Sequence, residues 1–283
     1  MTELTVHGRR GRVRLRALAL TVPELLAAVF AVLLVVAAVA PGILAPGDPL
    51  AIEPRAAFTP PGAAHWFGTD ESGRDLYTRI VHGAGSSLVI GVAATAIGLA
   101  LAIPLGLLAG LTGRVGDFVV GRFLEVLFAF PGLLLALLVI VLFGPGPLTA
   151  TIAVGLSTAP GYARIIRGQT LKLRRAGYVE AARVLGHGGG RIVVRTILPN
   201  LARELLVLAT LGIGQAIVWA ATLSFLGFGA QPPAPEWGAM LNAGRTYIQT
   251  AWWMTVVPGL VIVLTIVSAT VLGRRFAAGR RRA

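Results

Sequence analysis

Cysteine is absent from this chain of 283 residues, which excludes disulfides, thiolate metal sites and cysteine nucleophiles. Charge is scarce too: 13% of residues are Asp, Glu, Lys or Arg, against roughly 25% in a typical soluble domain. Lysine is reduced to Lys172 among 25 basic residues, a sign of genome base composition rather than of function. Leu171 precedes that lysine, so no G-x-x-x-x-G-K-[ST] phosphate loop exists. His7, His65, His82 and His187 are scattered, with no H-E-x-x-H spacing. Gly144-Pro145-Gly146 and Gly188 to Gly190 follow no strand pattern and read as turns, not nucleotide cradles. The chain is therefore not expected to hydrolyse ATP itself.

Ionisable residues are missing altogether between Gly83 and Gly113, between Phe143 and Tyr162, and between Tyr247 and Gly273. Proton- and voltage-driven membrane machines need such groups within the bilayer. Their absence speaks against a proton-coupled carrier and against a membrane hydrolase with an acid–base pair. The near-span exceptions are Glu24 and the pair Arg122 and Glu125, which at i, i+3 can meet on one helix face as an interfacial ion pair or, alternatively, serve the pathway or its gating.

What is present is apolar. Hydrophobic residues make up 55% of the chain and the mean hydropathy is +0.79. Runs long enough to cross hydrocarbon, at about 20 residues each, cover 18–40, 86–111, 118–143, 148–168, 202–227 and 251–272, an all-α polytopic membrane protein with six spans. Ala38-Val39-Ala40 resembles a signal-peptide cleavage site, but the apolar stretch is long for such a leader and Pro41 follows. A retained first helix is expected. Pro104, Pro131, Pro160 and Pro258 fall within spans, where proline kinks a helix. Gly98, Ala102, Gly106 and Gly110 form a small-residue face that invites a close neighbour, from this chain or a second subunit.

A net charge of +13 would suit nucleic acid, but the arginines sit in blocks at span ends, a topological pattern. Arg9, Arg10, Arg12, Arg14 and Arg16 precede the first span, eight basic residues against one Glu occupy 164–195, and Arg274, Arg275, Arg280, Arg281 and Arg282 close the chain. With six crossings these blocks share one side, the cytoplasm, so both termini lie inside. The 41–85 connection carries Asp48, Glu53, Asp70, Glu71 and Asp75 against Arg55, Arg74 and Arg79, and lies outside with the 223–250 loop.

The long basic loop is the most informative segment. Tyr178-Val-Glu-Ala-Ala-Arg-Val-Leu-Gly186 predicts a short helix with Ala181, Ala182 and Leu185 as its apolar stripe and Glu180 near its N-terminus. Gly186 and Gly188 to Gly190 would end it and reverse the chain. A second helix over 191–198 would present Ile192, Val193, Thr196 and Ile197, and be broken by Pro199-Asn200 before the next span.

These residues resemble the EAA loop of binding-protein-dependent ABC importer permeases: Glu180-Ala181-Ala182, then Gly186, then Leu198-Pro199, at that family's spacing. Thr196 stands where the general pattern has isoleucine, with Ile197 beside it. His65 to Asp75, containing Phe67-Gly68-Thr69-Asp70 and Gly73-Arg74-Asp75, is similar to an element of the C-type permeases of dipeptide, oligopeptide and nickel importers. So is Leu223 to Gly229 followed by Gln231-Pro232-Pro233 and Glu236-Trp237-Gly238.

The resemblance implies a type I importer permease in the bacterial inner membrane, paired with a B-type permease, cytoplasmic ATPase subunits and an extracytoplasmic solute-binding protein. ATP and Mg would be bound by the ATPase partners, with no cofactor on this chain. Tyr178, Glu180, Ala181, Ala182, Leu185, Gly186, Leu198 and Pro199 would couple to the ATPase. Asp70, Arg74, Asp75, Gln231, Pro232 and Trp237 are candidates for binding-protein docking; alternatively Asp70 to Asp75 form a capped turn, with Asp75 pairing to Arg79. The chain then divides into 1–85, a core of five spans over 86–273 containing the loop 178–200, and a basic tail 274–283. Peptides are the expected solute, with nickel as the alternative and an autonomous channel or carrier as the competing class.

Overall fold

The computed structural model describes residues 21–279, all helix and connection, with no strand among the described residues. The N-terminal arginines and Arg280 to Arg282 lie outside the described residues. The principal helices are α1 (Val22–Val39), α2 (Leu76–Leu111), α3 (Gly113–Ala129), α4 (Gly132–Phe143), α5 (Pro147–Arg174), α6 (Gly177–Val184), α7 (Leu198–Phe225), α8 (Trp237–Gly244) and α9 (Trp253–Gly279). Four stretches are long and apolar enough to cross a membrane by themselves: α1, α2, Gly189–Phe225 and Trp253–Arg275. Helices α3 and α4, bent by 84° at Phe130-Pro131, are together apolar and long enough for one further broken span or a re-entrant loop. The expected span 148–168 corresponds to α5, whose last turns carry Arg164, Arg167, Lys172 and Arg174.

Burial is inverted relative to a soluble protein. Large side chains such as Val22, Val39, Val141 and Phe143 are exposed, whereas the core is rich in alanine and glycine. That is the pattern of helices packed by small residues and faced by lipid. The small-residue face of α2 meets this chain's own α5: an added Cβ at Gly106 would lie 2.6 Å from Ile166, and one at Gly110 2.5 Å from Thr170. Helix α7 packs on α2, α5 and α9, and α1 closes the bundle against α9 and α2. At one end Glu24 of α1 pairs with Arg275 of α9.

Two expectations are corrected. The second span was expected at 86–111, but its helix starts at Leu76, because Arg79 is buried and partnered rather than solvated. Pro199 does not break the chain between loop and span. Val193–Ile197 is a π-turn, and the Leu198 N–H reaches back to the Val193 carbonyl. The wide turn delivers Pro199 to the first turn of α7, where no N–H is needed. Of the mid-span prolines, Pro104, Pro160 and Pro258 lie inside helices and Pro131 sits at the α3–α4 break.

Candidate functional site

At one end of the bundle the loop 178–200 forms a small unit with its own core. Helix α6 buries Val179 and Ala182 against Ile192 and Ile197, with Leu111 and Leu173 from the bundle packed alongside. The expected stripe is therefore only partly right: Ala182 faces inward, but Ala181 and Leu185 are exposed. Val179 is the inward residue that the sequence reading passed over, and i, i+3 spacing to Ala182 is its only signal. The helix ends at Gly186, where φ is +78°, a left-handed conformation that suits glycine. The Gly186 N–H donates to the Arg183 carbonyl and the His187 N–H to the Ala182 carbonyl, at 2.9 and 3.1 Å. These two bonds make a Schellman stop. Gly188 is the N-cap of the next helical turn, which begins at Gly189, so reversal rests on Gly186 alone.

The outward surface of α6 is open. Tyr178, Glu180, Ala181, Val184 and Leu185 are all exposed, Val184 and Leu185 to 88% and 75%. Two adjoining aliphatic side chains are thus displayed at the tip of an otherwise arginine-rich loop. Leu198 is half-buried and Pro199 exposed where the loop joins α7.

At the opposite end the segments 65–75 and 231–237 are tied into one cap. The Asp70 carboxylate accepts from the Ser72 and Arg74 backbone N–H groups at 2.8 and 2.9 Å. Its other oxygen lies 3.4 Å from Arg74 and 3.6 Å from Arg79. Arg79 also donates to the carbonyls of Pro49 and Pro233, both at 3.2 Å. The expected Asp75–Arg79 pair does not form, because Arg79 turns toward Asp70. Asp75 instead occupies the N-cap position of α2, 4.0 Å from His65. Burial raises the Asp75 carboxyl above its ordinary range, opposed by His65 and by the backbone N–H groups of Thr78 and Tyr77.

Trp237 is 1% exposed and donates its indole N–H to the Ile80 carbonyl at 3.0 Å. Glu236, unremarked by the sequence reading as a cap, accepts from the Gly238 and Ala239 N–H groups at the start of α8. Of the six docking candidates, Asp70 and Trp237 are buried, Arg74 and Asp75 are half-buried, and Gln231 and Pro232 lie at the surface. The inner four hold the cap together; the outer two are free to touch another molecule.

Residues 102–282 match the model of the binding-protein-dependent transport system inner membrane component family. The chain belongs to this family. The permease is 43% identical over 213 residues to the dipeptide transport system permease protein DppC of Alkalihalophilus pseudofirmus, covering 75% of this chain and 70% of that one. It is 42% identical to the glutathione transport system permease protein GsiD of Pectobacterium atrosepticum, over 75% and 71% of the two chains. With the probable D,D-dipeptide transport system permease protein DdpC of Escherichia coli it shares 40% identity over 230 residues, 81% of this chain and 77% of that one. Its fold is that of type I ABC importer permeases. An inward-facing MetNI methionine ABC transporter chain superimposes with a TM-score of 0.61 at 20% identity, over 74% of the permease and 98% of that chain. An amino acid ABC transporter chain gives 0.58 at 18% identity, over 73% and 95%.

Proposed function

We propose that this permease forms half of the membrane pathway of an ATP-driven importer of small peptides, with a B-type permease as the other half. On a count of six crossings, with α5 and the bent α3–α4 pair taken as one each, the loop 178–200 and both termini would lie in the cytoplasm of a bacterial cell. The cap around Asp70 and Trp237 then faces the solute-binding protein, with Gln231 and Pro232 at the contact surface. Relatives named for dipeptide and glutathione transport support peptides over nickel.

The observation that carries the coupling is α6. A helix whose inner face is fixed by Val179 and Ala182 and whose outer tip displays Val184 and Leu185 is built to enter an apolar groove of a partner. That partner is the ATPase, which binds ATP and Mg; the permease itself carries no cofactor and no hydrolytic site. Closure of the ATPase would push α6 and, through the continuous Gly189–Phe225 helix, tilt the bundle.

The test is co-purification. Alone, the permease should show no ATPase activity; with its partners it should retain the ATPase subunits. Glu180→Lys and Gly186→Pro should each abolish that retention and ATP-dependent uptake. Undiminished assembly and uptake in both variants would overturn the coupling role, and solute flux through liposomes holding only this chain would favour an autonomous carrier.

A further inference from the structure

We propose that the cavity at the α3–α4 bend is a binding site for the carboxylate end of a small permeating solute, held by Arg164 and by the open N-terminus of α4. The proposal rests on the importer role above and names the solute group that the pathway would read.

The cavity measures about 450 Å³, within the range of sites that take small organic ligands. Phe128, Phe130 and Gly132 line it at the bend, together with Tyr162 and Arg164 of α5 and Gln215 of α7. Its charge is of one sign: Arg164 is the only ionisable cation in the lining, and no lining residue is acidic. Among the described residues no carboxylate pairs with Arg164, whose guanidinium lies 4.6 Å from the centre of the Phe128 ring. Stacking on an aromatic face leaves the in-plane N–H fork open to a carboxylate.

The neighbouring arginines are already engaged: Arg167 pairs with Asp117, Arg122 with Glu125, and Arg174 donates to the Gly110 carbonyl. Arg164 is left over, exposed at a mostly apolar pocket.

A second positive element faces the same space. At the break, the Leu134 and Leu135 N–H groups both turn back to the Pro131 carbonyl. Those of Gly132 and Leu133 have no acceptor among the described residues, and no side chain caps the helix. An interrupted membrane helix that opens its N-terminus into a cavity attracts anionic groups. A bare divalent cation would meet only positive charge here and no His, Asp or Glu ligand.

The experiment uses the whole importer, this permease with its partner permease and ATPase subunits, in nanodiscs without the binding protein. Equilibrium binding of radiolabelled dialanine and of its C-terminal amide is measured at millimolar concentration. Wild type should bind dialanine saturably and the amide at least about tenfold more weakly, the size of one lost charge-assisted contact. Arg164→Gln should lose the distinction by weakening dialanine alone, and Arg164→Lys should keep part of it.

Equal binding of acid and amide, no saturable dialanine binding to wild type, or unchanged binding in Arg164→Gln would each overturn the site. Retention of the ATPase subunits, scored on the same samples, separates that failure from failure of the importer role. If the ATPase does not assemble with wild type, both proposals fall.

Discussion

Asp70 and Arg79 meet at 3.6 Å with side chains only 5% and 6% exposed, and the same guanidinium reaches Pro49 and Pro233. One buried cation therefore ties three chain segments into the cap. Removing one partner of such a pair costs about 3–5 kcal/mol. Arg79→Gln should accordingly lower the thermal midpoint of the purified importer sharply and reduce its yield. A midpoint within a degree or so of wild type would mean that the cap does not depend on this pair.

Gly83 offers a test of how the cap sits on the bundle. A Cβ at this position would lie 1.7 Å from the Pro235 carbonyl oxygen, so Gly83→Ala must displace the 231–237 segment, at a cost of about 1–3 kcal/mol. Stimulation of ATP hydrolysis by the binding protein should fall, while the ATPase subunits remain attached. Gly42→Ala, with nothing within 4 Å of its added carbon, should leave both properties at wild-type levels.

The two faces of α6 should respond differently to charge. Leu185 is 75% exposed and Val179 fully buried. Leu185→Glu should strip the ATPase from the complex without altering the permease's own thermal unfolding. Val179→Glu should do both, because a buried unpaired carboxylate disrupts the loop's core, at a cost of several kcal/mol. Identical behaviour of the two variants in unfolding would contradict the separation of faces.

Asp75 supplies a pH test. Burial raises its carboxyl in the folded state, so its neutral form is the better tolerated one. The stability associated with that neutral form is fully present below the unfolded value, near 4, and is lost as pH rises through the higher folded value. Asp75→Asn should therefore melt above wild type at pH 7, with the gap closing as pH falls toward 4. A gap that stays constant across this range would show that titration of Asp75 does not set it.

Much of this was legible in the sequence for a physical reason: bilayer-crossing runs and arginine blocks are one-dimensional signals. The loop's helix, its glycine stop at Gly186 and the Arg122–Glu125 pair are local, and they form as spacing suggests. What escaped were matters of partnership. Arg79 reads as solvated until Asp70, Pro49 and Pro233 are brought to it, so the second span was expected to begin ten residues late. Val179 outranks Ala181 as a core residue only because Ile192 and Ile197 fold back over it. Pro199 reads as a breaker until a π-turn precedes it. The choice of α5 as the partner of Gly106 and Gly110 likewise depends on the tertiary arrangement, which spacing alone does not specify.

The π-turn has a further consequence. Because the chain does not stop at Pro199, Gly189–Phe225 is one helix of 37 residues, a rod about 55 Å long at 1.5 Å per residue. One end carries the floor of the loop, Ile192 and Ile197, and near the other Ala221 and Ser224 pack against Gly238, next to Trp237. A pivot part-way along such a beam converts a small shift at one tip into an opposite swing at the other. The two faces of the membrane would thus share a single lever arm, with no joint between them to lose the stroke.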